Sequence, residues 1–143
     1  MKFGQSSSEE FSIFQINLII SLHNTYFMKR KILFICTVNR LRSKTAEALL
    51  KDNDNYEVKS AGTSPNADNP VTRELLEWAD DIFVMEKNHR DAIHKKFPNI
   101  YNDKKIECLY IPDEYEYMDP ELVDILKNKL LKYFKGGIEN NCN

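Results

Sequence analysis

Glycine is scarce in this chain, with four residues in 143, at positions 4, 62, 136 and 137. That excludes a G-x-G-x-x-G dinucleotide loop and a G-x-x-x-x-G-K-[ST] nucleotide loop, both of which need closely spaced glycines. Cysteine and histidine number three each, with no C-x-x-C and no H-E-x-x-H, which argues against a metal site; none is expected, and no cofactor either. The odd, widely spaced cysteines suit a reducing compartment, so a cytoplasmic chain is expected. No sign of charge dominates: 20 Lys+Arg stand against 22 Asp+Glu, for a net charge of −2 and a pI near 5.9. Such a balance argues against nucleic acid or an anionic membrane as partner. A bilayer-spanning run is missing as well. The apolar stretch at 11–22 is interrupted by Ser12, Gln15, Asn17 and Ser21, and a helical span needs about 20 apolar residues. Glu9 and Glu10 ahead of it speak against a signal peptide.

What is present is an ordinary core-forming composition, 42% apolar and 29% charged, at the size of one domain. Residues 1–27 read as an N-terminal extension, poorly ordered, with Met28 as a natural start; an extra amphipathic helix packed on the domain is the alternative. Residues 28–135 form the expected domain, and 136–143 a tail after the helix-stopping Gly136-Gly137. Within the domain, strand and helix signals alternate. Residues 31–36 (KILFIC) are a continuous apolar run, as in a strand buried on both faces. A helix is expected at 43–51, with Ala46, Leu49 and Leu50 inward and Glu47 outward, and a strand at 56–60. A helix from Val71 carries Val71, Leu75, Trp78 and Ala79 on one face. Strands are expected at 81–85 and 106–111, with a helix at 88–97 stopped by Pro98. Asp119-Pro120-Glu121 starts the last helix, with Asp119 as cap and Val123, Leu126, Leu130 and Phe134 as its buried stripe. The order βαβαβαβα predicts a single-domain α/β fold of three layers, a four-stranded parallel sheet with helices on both faces. Ligands of such folds bind beyond the carboxyl ends of the strands.

The loop after the first strand reads Cys36-Thr37-Val38-Asn39-Arg40-Leu41-Arg42-Ser43. A loop of this length between a buried strand and a helix N-terminus lets successive backbone N–H groups converge on an anion, and the helix dipole adds to that field. Arg42 can fork two hydrogen bonds onto a phosphate-like oxyanion. The same field favours the thiolate of Cys36, which makes it a nucleophile, and the Ser43 hydroxyl can donate to it. Local charge agrees: from Met28 to Ala46 there are six basic residues and no acid. Each residue alone has a plainer role. Cys36 would be a buried small side chain and Ser43 a helix cap, with Arg40 and Lys44 solvated. The C-x5-R-S spacing between strand and helix has few structural reasons to exist.

The segments ILFICTVNRLRSKTAEALL, SAGT (60–63), DIFVM (81–85) and IPDEY (111–115), in that order, resemble the low-molecular-weight protein tyrosine phosphatases. The resemblance runs from about 31 to 134. It implies a flavodoxin-like four-stranded sheet and metal-free hydrolysis of a phosphomonoester through phosphocysteine. Cys36 would be the nucleophile, Arg42 the phosphate clamp and Asp113 the general acid. Thr37, Val38, Arg40 and Leu41 would complete the phosphate loop, with Asn39 holding its shape and Ser43 tuning the thiolate. The implied partner is a phosphorylated substrate, a phosphotyrosine protein or a small phosphomonoester. The chain departs from the family at Val38, where glycine is usual and the loop backbone is expected to differ. It departs again at Leu41, where a second cysteine is common and shields the nucleophile from over-oxidation, and at Glu114, where proline usually follows the acid. It is also short between Thr63 and Asp81 and between Asn88 and Ile111.

From Glu107 to Asp124 there are seven acids and no base. Most read as solvated, yet one carboxyl beside a thiolate and a bound dianion is what general acid catalysis needs. Tyr115 and Tyr117 would flank a phenolic ring or simply pack the loop. Trp78 and Cys108 read as core, His89 and His94 as surface histidines, and Cys142 as a tail thiol. Two other functions share this loop: thiol-dependent arsenate reduction, which needs relay cysteines near Cys36, and non-catalytic phosphate binding.

Overall fold

The computed structural model describes residues 28–134, together with residues 13 and 15–17, which are helical and exposed. The expectations for the rest of the 1–27 extension, for the 136–143 tail and for Cys142 lie outside the described residues. The elements are β1 (Arg30–Cys36), α1 (Arg42–Leu50), β2 (Tyr56–Gly62), α2 (Arg73–Trp78), β3 (Asp81–Val84), α3 (Lys87–Lys96), α4 (Pro98–Asp103), β4 (Ile106–Cys108) and α5 (Pro120–Leu131). The four strands are parallel in the order β2-β1-β3-β4. Among the described residues no helix is long and apolar enough to cross a membrane.

Strand alternation sorts the core into two layers. Ile32, Phe34 and Cys36 of β1 face one way with Phe83, and α1 and α5 cover them with Ala46, Leu50, Leu122, Leu126 and Leu130. Leu33 and Ile35 face the other way with Ile82 and Val84, under Leu76, Ile93 and Ile100 of α2, α3 and α4. β1 is buried on both faces because helices cover both, which is why its sequence is continuously apolar.

Several boundaries differ from those expected. β2 runs on to Gly62, since Ala61 and Gly62 continue the pairing with Ile35 and Cys36. β4 stops at Cys108 because Tyr110 turns into the left-handed region at φ 54°, although the N–H groups of Leu109 and Ile111 still bond to Val84 and Met85. The second helix begins only at Arg73 and buries Leu76, with Thr72 as its cap through a bond from Leu75 N–H. Pro98 does not simply end a helix: it opens α4 at its first position, where a missing N–H costs nothing. The stripe of α5 is Leu122, Leu126 and Leu130, with Val123 half-buried beside it. Asp119 caps α5 as read, accepting from Glu121 N–H at 2.9 Å.

In this topology the chain leaves β1 for β2 on one side, then crosses back to β3 on the other. The carboxyl ends of β1 and β3 therefore flank the switch point, where open α/β sheets bind ligands. Cys36, Gly62, Glu86 and Asp113 all lie at or just beyond this edge of the sheet.

Candidate active site

Cys36 ends β1 and is buried. Two groups converge on its sulfur: Ser43 Oγ at 3.0 Å and the Asn39 backbone N–H at 3.3 Å. Asn39 Nδ2 donates to Ser43 Oγ at 2.9 Å, which leaves the serine proton for the sulfur. Ser43 therefore works on Cys36 and is not the helix cap. The cap position of α1 falls to Leu41, and Arg42 is already its first residue. Asn39 is fully buried at φ 59°, a conformation asparagine tolerates better than most residues. The left-handed position of the loop is thus Asn39, and Val38 has an ordinary negative φ.

The loop owes its shape to the segment after β2. Thr63 N–H bonds to the Cys36 carbonyl (2.9 Å), Ser64 N–H to Thr37 (2.9 Å) and Asp68 N–H to Val38 (3.1 Å). These bonds draw successive carbonyls to one side, which turns the peptide N–H groups to the other, as an anion-binding nest requires. Gly62 makes the approach possible: a Cβ there would lie 2.5 Å from the Thr37 carbonyl oxygen and 2.5 Å from Ala67 Cβ.

Arg42 is 2% exposed, and its guanidinium is fastened at Nη1 by the Glu86 carboxylate and by the Ile111 carbonyl at 2.8 Å. Asp113 faces its Nε across 3.5 Å, with the carboxylate side chain 61% exposed. Burial of so large a cation is tolerable because carboxylates and a carbonyl compensate it. The loop that carries Asp113 is docked onto α1 by Met118 N–H, which bonds to Thr45 Oγ1 at 3.0 Å.

Of the residues singled out from sequence, Cys36, Arg42, Asn39, Ser43 and Asp113 come together here. Thr37, Val38 and Leu41 are half-buried parts of the same loop. Arg40 points outward and pairs with Asp68 at 3.1 Å, and Lys44 pairs with Glu47 at 3.5 Å. Tyr115 packs against the first core layer, whereas Tyr117 is exposed. Cys108 is buried in the second core layer, on the sheet face opposite Cys36. His94 is exposed and stacks on Tyr101.

His89 overturns its expectation: it is fully buried. Its Nδ1 accepts from Glu86 N–H at 2.9 Å, and its Nε2 lies 2.9 Å from Thr37 Oγ1. Burial first, and then the positive charge of Arg42, push its pKa down to about 4, against the opposing pull of Glu86 and Asp113. Sequence reading missed both Glu86 and His89. Two signals were available: a carboxylate just past the strand that neighbours β1, and the E-x-x-H spacing at a helix start, where residue N3 reaches back to the cap.

The profile of the low molecular weight phosphotyrosine protein phosphatases matches residues 31–81. The protein-arginine-phosphatase of Bacillus subtilis (strain 168) is 34% identical over 100 residues, covering 51% of this chain and 66% of that relative. The protein-arginine-phosphatase of Geobacillus stearothermophilus is 30% identical over 95 residues, covering 50% and 64%. The match spans just under two thirds of each curated relative's length. Among solved structures, a low molecular weight protein tyrosine phosphatase from Streptococcus pyogenes, SP-PTP, superposes with a TM-score of 0.64 over 80% of this chain and 99% of that one. At 16% identity that likeness shows the fold alone.

Proposed function

We propose a function from the premise that the chain belongs to the low molecular weight phosphatase family: it is a protein phosphatase that works through a cysteinyl-phosphate intermediate. The observation that carries this reading is Cys36 Sγ between Ser43 Oγ and the Asn39 N–H, with buried Arg42 closing the same loop. Cys36 attacks phosphorus in line and the bond to the leaving oxygen breaks. Loop N–H groups and Arg42 hold the equatorial oxygens as their charge grows. With Nη1 tied to Glu86 and Ile111, the guanidinium keeps its Nε/Nη2 edge for the oxyanion. Asp113 faces that edge and protonates the leaving oxygen. Water then attacks phosphorus with Asp113 as base, and the sulfur leaves as the thiolate that Ser43 stabilises.

The substrate we propose first is a phosphotyrosine side chain, with Tyr115 and Tyr117 flanking its ring. Phosphoarginine is a second reading, favoured by the names of the two curated relatives. In that case Asp113 protonates a leaving guanidine nitrogen. Arsenate reduction needs a relay thiol, and Cys108 lies across the sheet from Cys36. A reducing compartment such as the cytoplasm suits an enzyme whose free Cys36 must stay a thiol. The test is release of phosphate from para-nitrophenyl phosphate with EDTA present, followed by matched peptides carrying phosphotyrosine or phosphoarginine. Turnover that disappears in Cys36→Ser supports the reading. Turnover that survives in that variant, or turnover of arsenate alone with a thioredoxin system, overturns it.

A further inference from the structure

We propose that His89 is a positioning residue of this site: locked as the Nε2–H tautomer, it donates to the Thr37 hydroxyl and so commits that hydroxyl's own proton to the bound oxyanion. The inference rests on the reading of the Cys36 loop as an oxyanion cradle.

The Glu86 backbone N–H is a donor, so the His89 Nδ1 that it reaches at 2.9 Å must carry a lone pair. A neutral ring then bears its proton on Nε2, which lies 2.9 Å from Thr37 Oγ1. Thr37 Oγ1 is therefore the acceptor in that bond, and its own proton points away from the ring. Thr37 is the first residue after the nucleophile, and its carbonyl is already taken by Ser64 N–H. An oxyanion held by the loop supplies the missing acceptor. The arrangement mirrors the other flank of Cys36, where Asn39 Nδ2 donates to Ser43 Oγ and frees the serine proton for the sulfur. One hydroxyl is thus aimed at the nucleophile and the other is reserved for its target.

The same ring also sets the clamp. By accepting from Glu86 N–H, His89 fixes the first turn of α3 and with it the carboxylate that fastens Arg42 Nη1. Charged groups facing the ring come from three elements: Arg42 of α1, Glu86 at the head of α3 and Asp113 beyond β4. A protonated ring would put a second N–H against the Glu86 N–H, so the geometry requires it neutral. The low pKa of the buried ring agrees with that.

The probe is inorganic phosphate, its binding measured by calorimetry on the full chain. Thr37→Val and His89→Asn should each weaken it about tenfold, the worth of one hydrogen bond to a charged acceptor. Asparagine still reaches the Glu86 N–H but is too short for Thr37. The double variant should bind no more weakly than either single, because both remove one proton donor. His89→Gln, whose amide reaches Thr37 and donates, should restore most of the affinity. Additive losses, or a glutamine as weak as the asparagine, overturn the proposal. Nitrogen-15 shifts of the imidazole give a readout that a merely structural role would not move. His89 should show a protonated Nε2 and a bare Nδ1 throughout pH 5–8, and the other tautomer or a titrating ring overturns the assignment. Phosphate binding with this coupling but no phosphoester turnover would sink the phosphatase reading and leave this one standing; turnover with uncoupled variants would do the reverse.

Discussion

Gly62 has no side chain, and the site depends on that. The space a Cβ would occupy is filled by the Thr37 carbonyl and Ala67. The carbonyl belongs to the loop that must present N–H groups to an anion, so it cannot retreat without turning its own peptide. Gly62→Ala should therefore lower kcat/KM at least tenfold while the far strand ends keep their packing; the check is paired kinetics and melting temperature. Unchanged kinetics would mean that the loop tolerates the shift. Cys36→Ser tests the other end of the loop. It should abolish turnover yet keep phosphate binding, because the N–H groups and Arg42 remain. Little of this was legible one residue at a time, since each residue alone has a plainer role. The C-x5-R-S spacing marks Cys36, Arg42 and Ser43 jointly, since few structural reasons explain that spacing between a buried strand and a helix. The SAGT segment was visible only as a family feature. The physical work of this stretch, backbone bonds from Thr63 and from Ser64 and Asp68 just after it that pull the loop carbonyls outward, is a contact between residues about 30 apart, and no local pattern encodes it. His89 misled for a similar reason: polar neighbours at 87, 88 and 90 describe a solvated helix face, whereas its burial comes from Thr37, more than fifty residues earlier.

At the scale of elements, the acidic stretch after β4 divides its labour between two aspartates. Asp119 caps α5, with Pro120 in the first turn. Asp119→Ala should cost about 1 kcal/mol of stability and leave the chemistry intact. Asp113 has no capping bond, lies at the carboxyl edge of the sheet and faces Arg42 Nε. Asp113→Asn should reduce kcat by roughly 10²–10⁴-fold for poor leaving groups and less for para-nitrophenol, which needs little protonation. Leaving-group-dependent loss in the Asp119 variant, with Asp113→Asn near the parent rate, would reverse the assignment. The elements themselves were legible where the pattern was clean, a continuous apolar run in β1 and a helical period in α5. Boundaries failed where a single backbone angle decides. The left-handed turn at Tyr110 shortens β4, and the apolar run 106–111 carries no trace of it. α4 was missed because Pro98 can stop one helix and open the next, and sequence alone weighted the first use.

Across the whole molecule, the switch point gathers a cation and two carboxylates around one neutral ring, and that has a consequence for stability against pH. His89 carries a pKa near 4 in the fold, lowered by burial and by Arg42, with Glu86 and Asp113 pulling the other way. In the unfolded chain an ordinary histidine titrates near 6.5. Between those values the unfolded state binds a proton that the native state refuses, so unfolding is favoured more at each step downward. The contribution of His89 is thus fully present above pH about 6.5, falls as the pH drops toward about 4, and changes no further below that. Carboxylates paired in the native state also lose stability on acidification, so the parent curve alone does not isolate the histidine. The difference between the parent and His89→Gln does, because glutamine fills the place of the ring and does not titrate. Urea melts from pH 4.5 to 7.5 should show the parent losing stability relative to His89→Gln as the pH falls, with most of the divergence between pH 6.5 and 4.5. Parallel curves across that range would mean that His89 takes up its proton in the folded protein as readily as in the unfolded one. The neutral ring between Glu86 and Thr37 would then have to be abandoned.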